Sequence, residues 1–199
     1  MATIGLSKPF FAVYSNPGTT VTYANGGVLG KYTELSMELD DGEDNILYAD
    51  NAPAESDQTF SGGRITITTD DLRPDVAQVI FGTVQETLSG TGITTEGAQW
   101  LVHNDNQAAP YVGLGGILKK KIGGTIYYVG FVLDKILFNN PGFDVVTQGE
   151  TIEWQTPELT AQIFRSDKPT HDWFRQTSLL SSESEAAAAV MAYLNIAAA

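Results

Sequence analysis

Polar and apolar residues alternate strictly across Tyr32–Leu39: Leu35, Met37 and Leu39 point one way, Glu34, Ser36 and Glu38 the other. A period of two predicts a strand with one buried and one wet face. Arg64–Thr69 repeats the pattern, with Ile65 and Ile67 set against Thr66 and Thr68. Phe10–Tyr14 and Thr19–Tyr23 predict two short strands around Asn16-Pro17-Gly18, and Asn25-Gly26-Gly27 predicts another turn. Asn45–Asp50 reads as a strand. Ala52–Asp57 reads as extended, with Pro53 barring a central ladder position. Tyr111–Lys121 and Thr125–Leu133 flank Gly123-Gly124, a favoured hairpin dipeptide, and Lys135–Phe138 continues the second arm. Gln99–His103, Thr151–Gln155 and Glu158–Phe164 complete the strand set.

The period changes twice. Asp70-Asp71-Leu72-Arg73-Pro74 opens a short helix, because early acids suit the helix dipole and proline fits only the first turn. Its apolar stripe is Leu72, Val76, Val79 and Ile80, and Gly82 stops it. Near the C-terminus, Ser182-Glu183-Ser184-Glu185 forms a capping box for a helix over Glu183–Asn195, with Val190, Met191 and Leu194 as its contacts. About ten strands and two helices predict a mainly β fold. The expected form is a β-sandwich or partly closed barrel with a flanking short α-helix, a C-terminal helix and a long inter-strand loop. Residues 1–180 form the β domain in this reading, and 181–199 the C-terminal helix and alanine-rich tail.

Charge sharpens this outline. The chain has 199 residues and a formal charge of −13, with 11 bases against 24 acids. Such a surface repels nucleic acid, since tight binders need basic patches to displace phosphate counterions. Between Tyr32 and Gly63 there are nine carboxylates and no base, interleaved with Leu35, Met37, Ile46, Leu47, Tyr48 and Phe60. An acidic segment with β character has to place its charge on a definite surface. Asp40-Asp41-Gly42-Glu43-Asp44 reads as the turn after the first alternating strand. The basic counterpart is Lys119-Lys120-Lys121, three of the 11 bases. On a strand at most two of them share a face. The run reads either as an edge strand guarded by lysine or as a docking point for the acidic segment of another copy.

Candidate chemistry is sparse. There is no cysteine, which removes disulfides and thiolate metal sites. His103 and His171 lack metal-ligand spacing and read as surface or strand-end histidines. Asp40–Asn45 lacks the order of a calcium loop. Gly113-Leu114-Gly115-Gly116 lacks the lysine and helix of a phosphate loop and reads as close backbone packing. Met1–Val13 does not read as a secretory leader, and no apolar stretch reaches membrane-spanning length. Neither a catalytic residue nor a cofactor site is predicted.

The order of segments carries a resemblance. Lys8-Pro9-Phe10-Phe11-Ala12 opens the chain, Asn45–Ser56 and Gly62–Leu72 follow, then Pro110–Gly113, the lysine run and the Tyr127–Phe138 strand. Gly149-Glu150-Thr151-Ile152-Glu153-Trp154-Gln155-Thr156-Pro157 then leads into Leu159–Phe164. From about Lys8 to Phe164 this succession resembles the major tail proteins (tail tube proteins) of long, non-contractile-tailed phages, especially those of Gram-positive hosts.

The resemblance implies a β-sandwich virion protein, made in the host cytoplasm, that forms hexameric rings stacked into a hollow tail tube for DNA passage. It implies tape-measure, tail terminator and baseplate proteins as partners, and no membrane. Some members end in an immunoglobulin-like module; here an alanine-rich helix ends the reading, so that module's adhesion roles are not carried over. Glu34 and Glu38 become a candidate lumenal or inter-subunit acidic face. Asp40, Asp41, Glu43 and Asp44 become candidate ring-to-ring contacts for Lys119, Lys120 and Lys121. The rival expectation is a carbohydrate-binding or adhesion β-sandwich, because Trp100, Trp154 and Trp173 could stack on sugars. A carboxylate hydrolase is a third and weaker reading.

Overall fold

The computed structural model describes residues 2–18, 20–41, 45–49, 52–57, 60–87, 89–90, 99–142, 145–147 and 154–197, with backbone alone over 41–57. Lys8 and Pro9 do not end the first strand: β1 runs Ala2–Ser15 and absorbs Lys8 at a φ of 54°. β2 is Thr22–Val28. Asn25-Gly26-Gly27 is therefore part of a strand and not a turn. Asn25 takes a φ of 50° and the β1–β2 register slips there, as in a β-bulge. β3 (Tyr32–Asp41) and β6 (Phe60–Thr69) are the two alternating segments, paired antiparallel. Between them β4 (Asn45–Ala49) and β5 (Ala52–Asp57) form a two-stranded sheet of their own among the described residues, which keeps Pro53 out of a central ladder position.

Helix α1 spans Pro74–Phe81, starts on its proline and stops at Gly82 with a φ of 66°. A second isolated hairpin follows, β7 (Val84–Thr87) with β8 (Gln99–Val102). The long hairpin is β9 (Tyr111–Ile122) with β10 (Thr125–Phe138). β11 is Glu158–Phe164, and β12 is Phe174–Gln176. Trp154 and Gln155 lie outside any strand, and the rest of the expected 151–155 strand falls outside the described residues. Helix α2 covers Glu183–Tyr193, and the Ser182 hydroxyl accepts from the Glu185 backbone N–H as the capping box requires.

Eight strands make one antiparallel sheet in the order β2-β1-β9-β10-β11-β6-β3, with β12 added on β10. β2 and β3 are its two ends, yet only Leu29-Gly30-Lys31 joins them, a reach of about 10–14 Å. The sheet must therefore curl until its ends approach. The Leu29 N–H donates to the Pro9 carbonyl at 2.8 Å, and the Tyr32 hydroxyl to the Gly115 carbonyl at 3.1 Å. No ladder joins β2 to β3, so the sheet folds over itself in two layers without closing into a barrel.

Two cores result. Inside the curl, Phe11, Leu114, Leu133, Ile65, Ile67 and Leu159 meet under α1, which adds Val76, Ile80 and Phe81. Outside it, α2 covers β1, β9 and β10 through Ala186, Ala187, Val190 and Leu194. The three middle strands are thus covered on both faces, which is why Val112–Ile117 and Val129–Asp134 are unbroken buried runs. The glycines of β9 make this possible. A Cβ on Gly115 would lie 2.5 Å from Val190 Cγ1, and one on Gly113 would lie 2.8 Å from Leu194 Cδ2.

Candidate functional surfaces

The outer face of β3, β6 and β11 is a small polar grid fixed by register. Glu34, Thr68 and Glu158 form one row, Ser36, Thr66 and Thr160 the next, and Glu38, Arg64 and Gln162 the third. Their neighbours of opposite parity, Ile65, Ile67, Leu159, Ala161 and Ile163, are buried, and Leu35 and Met37 pack against them. The expected alternation is therefore present, except that Leu39 is exposed where β3 leaves the sheet. The grid holds three carboxylates and one arginine, and none of the four is in an ion pair among the described residues. Among the described residues β3 is the terminal strand of the sheet, so this face borders an edge that no described strand pairs with.

The lysine run sits elsewhere, and not on an edge. Lys119, Lys120 and Lys121 lie in β9 between β1 and β10, opposite Gly5, Thr3 and Ala2 on one side and Tyr128, Tyr127 and Ile126 on the other. A guard against edge pairing is not their role, since both ladders of the strand are occupied. None of the three is in an ion pair among the described residues. Exposed Ile126 stands directly across from Lys121, and exposed Ile4 occupies the β1 bulge between Thr3 and Gly5. Asp40 is exposed at the end of β3; the Asp41 side chain, Glu43 and Asp44 lie outside the described residues.

The opposite end of β10 carries a cleft of about 760 Å³ between Leu72, His103, Pro141, Val145, Gln155 and Leu159. Gln155 clamps its rim: its amide donates to the Val146 carbonyl at 2.7 Å and accepts from the Val146 N–H at 3.0 Å. This holds out Val145, Val146 and Trp154, the last 89% exposed. On the adjoining β7–β8 hairpin, Leu101 packs on the core while Val84 and Trp100 face outward, Trp100 being 59% exposed. Trp173 alone of the three tryptophans is packed, stacked on Phe60 with ring centroids 4.4 Å apart. With Phe174 it anchors the 166–180 segment, as two aromatic residues in a polar stretch suggest.

No protein-family model matches this chain. No curated protein matches it in sequence. The functional reading therefore rests on these surfaces and on the order of segments in the sequence.

A buried ionic cluster ties the distant segments together. Asp134 is 0% exposed. Arg175 from β12 grips it with two hydrogen bonds of 2.9 and 2.8 Å, and the Tyr193 hydroxyl of α2 donates at 3.0 Å. Lys168 approaches at 3.4 Å and also bonds the Tyr193 hydroxyl. The hydrogen bonds to Asp134 raise the pKa of Arg175, and burial raises those of Tyr193 and Tyr23. The cluster works as a clasp, joining β10, β12, the Lys168 loop and α2 through one buried carboxylate. Its sequence signal was a single acid inside an apolar strand.

Beside it, Asp167 accepts from Lys135 at 2.8 Å and from the Tyr14 hydroxyl at 2.9 Å. The Lys135 bond, then the Tyr14 bond, hold its carboxyl below the usual aspartate value. Its stabilising contribution is therefore complete above the unfolded value of ~3.9 and is lost as pH falls through the depressed folded one. Thermal melts of Asp167→Asn should show a deficit from wild type at neutral pH that vanishes below the aspartate range. A constant deficit at all pH values would contradict this.

Proposed function

We propose that this chain is a self-assembling structural subunit of a phage tail tube, whose stacked rings form an acidic conduit for DNA. The observation that carries the reading is the polar grid of β3, β6 and β11 at the β3 edge of a curled sheet. Threonine, serine, glutamine and glutamate rows offer phosphate few cations to release counterions onto, so DNA slides past. A free edge strand on a β protein is covered by a neighbour or guarded, and no strand pairs with the outer edge of β3 among the described residues. The resemblance in segment order adds hexameric rings, together with tape-measure, tail terminator and baseplate proteins as partners. In this reading Glu34 and Glu38 face the lumen.

Gel filtration followed by negative-stain microscopy tests the proposal. Rings or tubes of uniform bore are expected as concentration rises. A strict monomer at high concentration removes the reading. Exposed Trp154 beside the 760 Å³ cleft favours one rival, a carbohydrate-binding module. A monomer that also retains glycans on an array would favour that rival.

A further inference from the structure

We infer that the two ends of the β9–β10 hairpin form the two halves of one head-to-tail contact between copies of this chain. This rests on the self-assembly reading and names the surfaces that carry it. One half is the lysine end, where Lys119, Lys120 and Lys121 are flanked by exposed Ile4 and Ile126. The other is the tryptophan end, where exposed Val145 lines the cleft, exposed Val146 and Trp154 flank its residue Gln155, and exposed Trp100 and Val84 lie on the β7–β8 hairpin that leads into its residue His103.

Three observations join them. Both ends expose large apolar side chains, which monomeric surfaces leave in clusters chiefly where a partner binds. Their charges are opposite: the tryptophan end carries Glu158 in the cleft wall and Glu86 directly across from Trp100, while Lys119–Lys121 have no ion-pair partner among the described residues. Finally, the two lie at opposite ends of one rigid ruler. β10 is 14 residues long, starts beside the lysines and ends at Phe138, just before cleft residues Asn140 and Pro141. At about 3.3 Å per residue the ends stand roughly 40 Å apart, too far for one copy to satisfy itself.

Complementary patches on opposite ends make a heterologous contact, which propagates from copy to copy as a ring or a stack. The tryptophans are the apolar anchors and the lysines set orientation. In this inference the lysine partner is the Glu86 and Glu158 end of the next copy.

The test uses two multiple variants of the full chain, Lys119→Glu/Lys120→Glu/Lys121→Glu and Trp100→Ala/Trp154→Ala. Circular dichroism melts verify that each remains folded, which surface positions should allow. By sedimentation velocity, each alone should need at least about tenfold higher concentration to assemble than wild type. Mixed together, each variant retains the half that the other lacks, so the mixture should form dimers that grow no further. Wild-type-like assembly of either variant alone overturns the inference and leaves the tube reading standing, as does a mixture that stays monomeric. A wild-type chain that never associates removes both.

Discussion

Asp134→Ala is expected to lower the melting temperature by about 6–20 °C. Removing one partner of a buried ion pair leaves the other charge uncompensated, at about 3–5 kcal/mol, and each kcal/mol shifts a chain of this size by ~2–4 °C. Here the carboxylate is fully buried and accepts from Arg175 twice, from Tyr193 and from Lys168. Its loss leaves Lys168 without a carboxylate and Arg175 with Asp172 alone, and frees α2, β12 and the 165–172 loop from a common anchor. Tyr193→Phe removes one hydrogen bond and should cost only about 1 kcal/mol. Asp134→Leu combined with Arg175→Met and Lys168→Met should recover most of the stability, because apolar side chains of similar volume often replace a buried ionic cluster without loss. Calorimetry on the four proteins decides it. If the triple variant is as unstable as Asp134→Ala, the cost lies in packing and not in the stranded charge.

Such a clasp was half legible in the sequence. Asp134 and Lys135 interrupt the apolar run Val129–Phe138, and an acid inside a buried strand requires a partner. Which partner could not be read, because Lys168, Arg175 and Tyr193 come from segments 34 to 59 residues away, one of them with no periodicity at all. The same division holds for the fold. β3, β6, β11 and the β9–β10 hairpin were readable, since one-sided burial writes a period of two and Gly123-Gly124 marks the turn. β12 was not, because three residues carry no period.

β1 and β2 misled for a different reason. Lys8, Pro9 and Asn25-Gly26-Gly27 have turn chemistry, but the sheet uses them as bulges inside continuous strands, which only tertiary pairing reveals. Of the candidate site, the polar face of Glu34, Ser36 and Glu38 was visible from alternation. The tryptophan end was not, since the sequence offered Trp100, Trp154 and Trp173 alike as stacking platforms, and the exposure of the first two follows from loop and hairpin placement.

Gly115→Ala should destabilise by about 1–3 kcal/mol although it adds one methyl group and, by propensity, improves the strand. Its Cβ would stand 2.5 Å from Val190 Cγ1 and 3.2 Å from the Phe131 carbonyl, so either α2 lifts or the sheet shifts. The other methyl of Val190 sits as closely over Gly130, where a Cβ would lie 2.8 Å from it, so the helix is seated on both glycines. Two controls separate this clash from a generic glycine effect. Gly142→Ala, with nothing within 4 Å and no positive φ, should change little. Val190→Ala in the Gly115→Ala background should restore part of the loss, because the methyl in conflict is gone. Hydrogen exchange adds the structural readout: Gly115→Ala should speed exchange of the α2 amides while leaving β6 and β11 protected, since the main contacts of α2 are with β1, β9 and β10. Uniform acceleration across the chain would mean that helix and sheet unfold as one unit, and that the glycine row seats the whole fold and not the helix alone.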